Sequence, residues 1–138
     1  TQEHLQHTAG VMNGLSTADF LWNVQCSVIQ QLADKGPCVI VGRNADYILK
    51  DRPECLHVYT FADVPFRAER IVRLYGDSEK SPETRLAEKD KRRRLNYQHY
   101  TGRTWGQAQN YDLCLDTGVL GVEQCVDIVV SVIENSRK

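Results

Sequence analysis

Stretches with apolar residues every three to four positions alternate with short continuous apolar runs, a pattern of helices between strands. Ser16-Thr17-Ala18-Asp19 reads as a capping box with Asp in place of the usual Glu. Phe20, Leu21, Val24, Val28, Ile29 and Leu32 follow at helical spacing, and Gly36-Pro37 stops the helix. Cys38–Val41 is a continuous, β-branched run of the kind that fills a parallel sheet buried on both faces, ended by Gly42. Asn44–Leu49 predicts a short helix and Arg52-Pro53 a turn, and Cys55–Phe61 predicts a second strand. Asp63 caps the next helix with Pro65 in its first turn, and Gly76 closes it. Ser81-Pro82-Glu83 opens a long basic helix reaching about Tyr100, before Gly102. Asp112–Asp116 predicts a third strand. From Gly121, Val122, Cys125, Val126, Val129, Val130 and Ile133 form a last amphipathic helix. Strands separated by helices imply crossover connections and a parallel α/β sheet. No repeat or low-complexity segment interrupts this order, and residues 1–15 are polar, irregular and without an assigned role.

Composition changes this picture little. The 138 residues suit one domain, 41% hydrophobic and 25% charged, an ordinary globular balance. The formal net charge of −1 is unevenly spread: residues 82–103 carry a net +4 and the remainder −5. A basic segment in an acidic body points to a local anion site rather than to nucleic acid or an acidic membrane. No run approaches the roughly 20 apolar residues of a membrane span, and no signal peptide is visible. The five cysteines, Cys26, Cys38, Cys55, Cys114 and Cys125, form no C-x-x-C pair and are expected as buried, reduced thiols of a cytoplasmic protein. The four histidines show no metal-ligand spacing, and there is no nucleophile elbow, so no protein metal site and no covalent hydrolytic chemistry are expected.

Three groups of residues suit anion chemistry. Gly42-Arg43 lies at the carboxyl end of a predicted strand, where open parallel sheets bind ligands. The planar fork of Arg43 matches phosphate oxygens, the alternative being a surface salt bridge. On the basic helix, Leu86, Asp90, Arg93, Tyr97 and Tyr100 share one face, so that Asp90 can orient Arg93. Arg85, Lys89, Arg92 and Arg103 populate the adjoining positions. Phosphoryl transfer needs fixed positive charge around the migrating group, and a mobile arginine-rich segment supplies it. The alternatives are a solvated helix or, with Tyr97, His99, Tyr100 and Trp105 as stacking platforms, a nucleic-acid surface, which the acidic remainder disfavours. Arg67, Arg70 and Arg73 form a third basic stripe, of which Arg70 and Arg73, nearer the helix end, are the better anion candidates.

Together these segments resemble the cytidylate-kinase-like family. GPCVIVGRNADYILKDRP resembles its third-strand segment and LHVYTFADVPFRAERIV its fourth strand and following helix. DKRRRLNYQHYTGRTWG and NYDLCLDTGVLGVE resemble its lid and last strand. The likeness runs from about Phe20 to Ile133, and D-x-x-R-x-x-x-Y-x-x-Y-T-G-x-x-W-G is its most specific part. The resemblance implies a P-loop-kinase-like parallel sheet with an arginine-rich lid at about residues 77–110, within one domain over residues 1–138. It implies ATP and Mg2+ as cofactors and a nucleotide as small-molecule partner. Phosphoryl transfer from ATP to a nucleoside monophosphate or similar acceptor follows, and the apolar helix faces leave room for a homo-oligomer.

By the same resemblance Arg43 matches the arginine of a G-R-D motif that holds the acceptor phosphate. Asn44 stands at its sugar-binding Asp, with Asp46 as a substitute nearby. Asp90 and Arg93 match the second Asp and final Arg of the lid motif R-D-x-x-D-S-x-R and form the expected catalytic pair. Its first Arg falls on Leu86, beside Arg85 and Lys89. Arg70, Arg73, Arg85 and Arg103 are expected phosphate helpers. Asp116, Thr117 and Leu120 resemble the loop near the adenine, or simply turn the chain into the last helix. No G-x-x-x-x-G-K-[ST] phosphate loop occurs in the sequence. In the family it follows the first strand, which lies between the third and fourth. The expectation is therefore a native polypeptide longer at its N-terminus, since the gap would leave buried backbone groups unpaired. A non-catalytic nucleotide-binding or regulatory module without a donor site is the alternative.

Overall fold

In the computed structural model, which describes residues 16–136, the chain divides after Pro53 into two compact units. The first unit holds helices α1 (Thr17–Lys35) and α2 (Ala45–Ile48), which contact each other, and its buried apolar residues among those described are Ile29, Ala45 and Leu49. Ser16 caps α1 as its sequence predicts, its hydroxyl accepting from the Asp19 N–H at 3.1 Å. Gly36 ends the helix, and Arg52 pairs with Asp34 at 2.7 Å, tying the turn after α2 to the end of α1.

The predicted strand Cys38–Val41 does not form. Val39 is 92% and Val41 85% exposed, against the expected burial on both faces. Strand status depends on a hydrogen-bonded neighbour, and among the described residues this unit contains no strand to supply one.

The second unit is mixed α/β, a two-strand parallel sheet flanked by helices. Strand β1 (Val58–Phe61) leads through α3 (Val64–Tyr75), α4 (Pro82–Thr101) and a 3-10 turn (Ala108–Asn110) to β2 (Leu113–Asp116). Helices α5 (Thr117–Leu120) and α6 (Val122–Ser136) follow. The register runs from Val58 opposite Leu113 to Phe61 opposite Asp116. The Asp112 carboxylate extends the pairing by accepting from the His57 N–H at 2.7 Å. Local chemistry sets the helix limits as the sequence predicts. Asp63 and Ser81 cap α3 and α4 by accepting from the Phe66 and Thr84 N–H groups, and Gly102 leaves α4 at φ 71°. Asp116 accepts from the N–H groups of Gly118 and Val119 and so turns the chain into α5.

Helices α3 and α4 pack through Ala68, Ile71 and Leu86, with Val72 against them. Of the five cysteines only Cys125 is buried, while Cys38 and Cys114 are exposed, which corrects the expectation of five buried thiols. Cys114 projects from a sheet of two strands, too narrow to enclose both of its faces. Among the described residues no helix is long and apolar enough to cross a membrane.

Candidate functional site

Helix packing brings the charged cluster together. Arg67 stands one turn before Ile71 on α3, and Asp90 one turn after Leu86 on α4, so each charged group extends a face that carries a core residue. The Arg67 guanidinium donates through Nη1 to Asp90 Oδ2 and through Nη2 to Oδ1, both at 2.8 Å. Their side chains are 27% and 22% exposed. Arg93, one turn along α4, donates through Nη1 to the same Asp90 Oδ1 at 3.2 Å and is 55% exposed. The hydrogen bonds to Asp90 push the Arg67 pKa above its ordinary value, against the opposing effect of burial.

An aromatic group stands beside these charges. Tyr59 of β1 stacks on Tyr111 with centroids 5.0 Å apart, meets Trp105 edge-on at 5.6 Å and lies 6.1 Å from Phe61. Gly106 has φ 86°, and a Cβ there would approach the Tyr59 hydroxyl oxygen to 3.0 Å, so this close approach needs glycine. Tyr59, Phe61, Gly106, Ala108 and Cys114 line an open concavity of about 420 Å³.

Burial raises the Tyr59 pKa above its ordinary 10.0, the negative charge of Asp90 adds to the rise, and Arg67 and Arg93 oppose it. A raised pKa favours the neutral phenol in the folded state. Its stabilisation is complete below pH 10 and disappears as pH rises through the folded-state value. Burial likewise raises Cys26 above 9.0, which acts in the same direction from a lower pH. Unfolding free energy measured by urea titration is therefore expected to fall on the alkaline side, and Tyr59→Phe to flatten the part above pH 10. An unchanged alkaline slope in Tyr59→Phe would contradict the assignment.

The other predicted residues are placed as follows. Arg85 donates to the Gly76 carbonyl at 2.8 Å and so holds the end of α3 instead of facing the Asp90 cluster. Arg70 is half-buried and Arg73 exposed, and neither joins the Asp90 network among the described residues. The Arg103 N–H donates to the Thr101 hydroxyl at 3.0 Å, closing the turn after α4. In the first unit Gly42, Arg43 and Asn44 have successive φ values of 68°, 59° and 55°. For Arg43 that left-handed geometry costs about 1–2 kcal/mol. The turn is held in part by the Gln25 side chain, which donates to the Arg43 carbonyl at 2.9 Å. Asn44 and Asp46 start α2, and Arg43 is exposed. Among the described residues no group of three or more His, Cys, Asp or Glu could hold a metal ion.

Sequence reasoning underrated Arg67 and did not single out Tyr59. The signal for Arg67 was its one-turn spacing from Ile71, matching that of Asp90 from Leu86. Arg70 and Arg73, favoured by their proximity to a helix end, lie outside the Asp90 network among the described residues.

The chain matches the model of the cytidylate kinase-like family over residues 3–119. That match begins upstream of Phe20 and stops short of Ile133, the limits expected from the motifs. Nothing in it bears out the expected absence of an N-terminal segment. The chain is 32% identical over 104 residues to a uronate isomerase of Corynebacterium glutamicum, covering 75% of this chain and 20% of that protein. The crystal structure of an uncharacterized protein from Eubacterium ventriosum is similar with a TM-score of 0.72 at 26% identity. The similarity covers 83% of this chain and 63% of that one. The chain thus spans about a fifth of the curated relative and less than two thirds of the solved one.

Proposed function

The chain belongs to the cytidylate kinase-like family, and on that premise we propose that it serves ATP-dependent phosphoryl transfer to a nucleoside monophosphate or similar small acceptor, on a P-loop-kinase-like fold. The observation that carries this reading is the Asp90–Arg93 pair. An arginine anchored at one nitrogen by a half-buried carboxylate keeps more than half of its side chain accessible to an anion. Arg43, at its left-handed turn, binds the acceptor phosphate, and Asn44 and Asp46 act on the acceptor's sugar. In the reaction an acceptor phosphate oxygen attacks the γ-phosphorus of ATP, the bond to the bridging oxygen breaks, and ADP leaves. Arg93 stabilises the charge spread over the migrating group's oxygens. Arg70, Arg73, Arg85 and Arg103 are at most supporting charges. Magnesium, largely held by substrate phosphates in such reactions, is assigned no protein ligand here. The free thiols fit a reducing, cytoplasmic setting.

A second reading is a non-catalytic nucleotide-binding or regulatory module without a donor site. One experiment separates the two: ATP-dependent transfer by the full natural-length polypeptide, with magnesium, across a panel of nucleoside monophosphates and nucleosides. Transfer to one acceptor establishes the kinase and its substrate. Acceptor binding without ATP binding or transfer supports the module and ends the kinase reading.

A further inference from the structure

We propose that Arg67 is the positioning residue of this cluster: it acts on the anion only through Asp90, by fixing the carboxylate from which Arg93 hangs. For its anion the inference rests on the phosphotransfer reading.

Both terminal nitrogens of Arg67 are committed to Asp90, in a fork-on-fork pair at 2.8 Å and 2.8 Å. Such a pair fixes the plane of the carboxylate as well as its position. Arg93 bonds to Oδ1, an oxygen that Arg67 already holds. By itself the Asp90–Arg93 pair is an i,i+3 contact on one helix, weak and open to many rotamers. The tie from Arg67 removes that freedom, because it comes from a different helix and is half-buried. Arg67 lies in the second turn of α3, whose first turn is capped by Asp63 just beyond β1. The position of Arg93 is thereby referred to the sheet as well as to its own helix.

Charge counting gives Arg67 a second effect. Asp90 and Arg93 alone would form a closed, neutral pair. With Arg67 present the three side chains carry a net positive charge, and the guanidinium with the more exposed side chain, that of Arg93, presents it. Methionine at position 67 would keep the aliphatic bulk but remove both the fork and the charge. Lysine would keep the charge but hold the carboxylate at a single point.

The test uses the full natural-length polypeptide, inorganic pyrophosphate as the anion probe, and NMR relaxation of the Arg93 side-chain Nε–H. Because Arg67 and Arg93 are coupled through a shared partner, Arg67→Met is expected to weaken pyrophosphate binding about ten-fold. It is also expected to increase the mobility of the Arg93 Nε–H, and Arg67→Lys to restore part of both losses. Arg67→Met combined with Arg93→Met should bind more weakly than Arg93→Met only by the small repulsion of the then unpaired Asp90, far less than the two single losses combined. Additive losses in that double variant would mean that Arg67 touches the anion itself and would overturn the proposal. So would an Arg93 Nε–H of unchanged mobility in a folded Arg67 variant, with Arg67→Lys carrying the comparison should Arg67→Met not fold. If the wild-type protein binds no pyrophosphate, the phosphotransfer reading suffers, while the mobility of Arg93 still decides whether Arg67 positions it.

Discussion

Replacing Arg93 with alanine in the natural-length protein is expected to lower turnover about a thousand-fold, with the acceptor KM changed by no more than about three-fold. That loss corresponds to about 4 kcal/mol of transition-state stabilisation. The asymmetry follows from the assigned role. A group that meets the migrating phosphoryl as its charge spreads contributes to the transition state more than to acceptor binding, so its removal appears in kcat. The neighbouring exposed arginines are internal controls: Arg92 and Arg94 lie on the same basic helix but outside the Asp90 network among the described residues. Alanine at either should change turnover far less, which separates a local requirement for Arg93 from a general effect of positive charge. Lysine at 93 should recover only part of the loss, because a point charge cannot keep one donor on Asp90 and present the rest of a planar fork. Steady-state kinetics across the four variants decide the matter, and wild-type turnover in Arg93→Ala would remove the residue from the mechanism.

What could be read from the sequence was chiefly what is decided within a few residues. The caps at Ser16, Asp63, Ser81 and Asp116 act within three positions of themselves, and each makes its bond in the structure. The shared face of Leu86, Asp90, Arg93, Tyr97 and Tyr100 follows from helical geometry alone, and all of these but the exposed Arg93 are buried or half-buried. Features that need a distant partner were less legible. Cys38–Val41 has strand composition, but composition cannot supply a neighbouring strand, and the segment stays open. Arg67 and Asp90 are 23 residues apart, and only the packing of Ile71 near Leu86 brings them into register. Tyr59 reads as one more apolar strand residue. Its meeting with Trp105 and Tyr111 depends on where the chain returns after α4.

Tyr97→Ala is expected to cost about 3–5 kcal/mol of stability, the usual loss on removing a large buried ring. Tyr97 is 2% exposed and is the largest fully buried side chain among the described residues. The other buried residues of its unit, among those described, are Ala68, Ile71, Leu86, Leu115 and Cys125, all smaller. With so little buried elsewhere, the cavity has few neighbours able to close it, and typical domains have only about 5–15 kcal/mol of stability in total. Urea denaturation gives the value, and Tyr97→Phe divides it, because loss of the hydroxyl alone should cost no more than about 1.5 kcal/mol. A change within about 0.5 kcal/mol for Tyr97→Ala, the range of ordinary surface substitutions, would show that the ring is not part of the core. The effect should also reach the charged cluster. Tyr97 lies one helical turn beyond Arg93, and the Thr101 hydroxyl donates to its carbonyl at 2.6 Å in the last turn of α4. Loosening this anchor frees the helix segment that carries Arg93. Folded Tyr97→Ala should therefore lose turnover as well as stability, whereas Tyr97→Phe, which keeps the ring in place, should keep most of both.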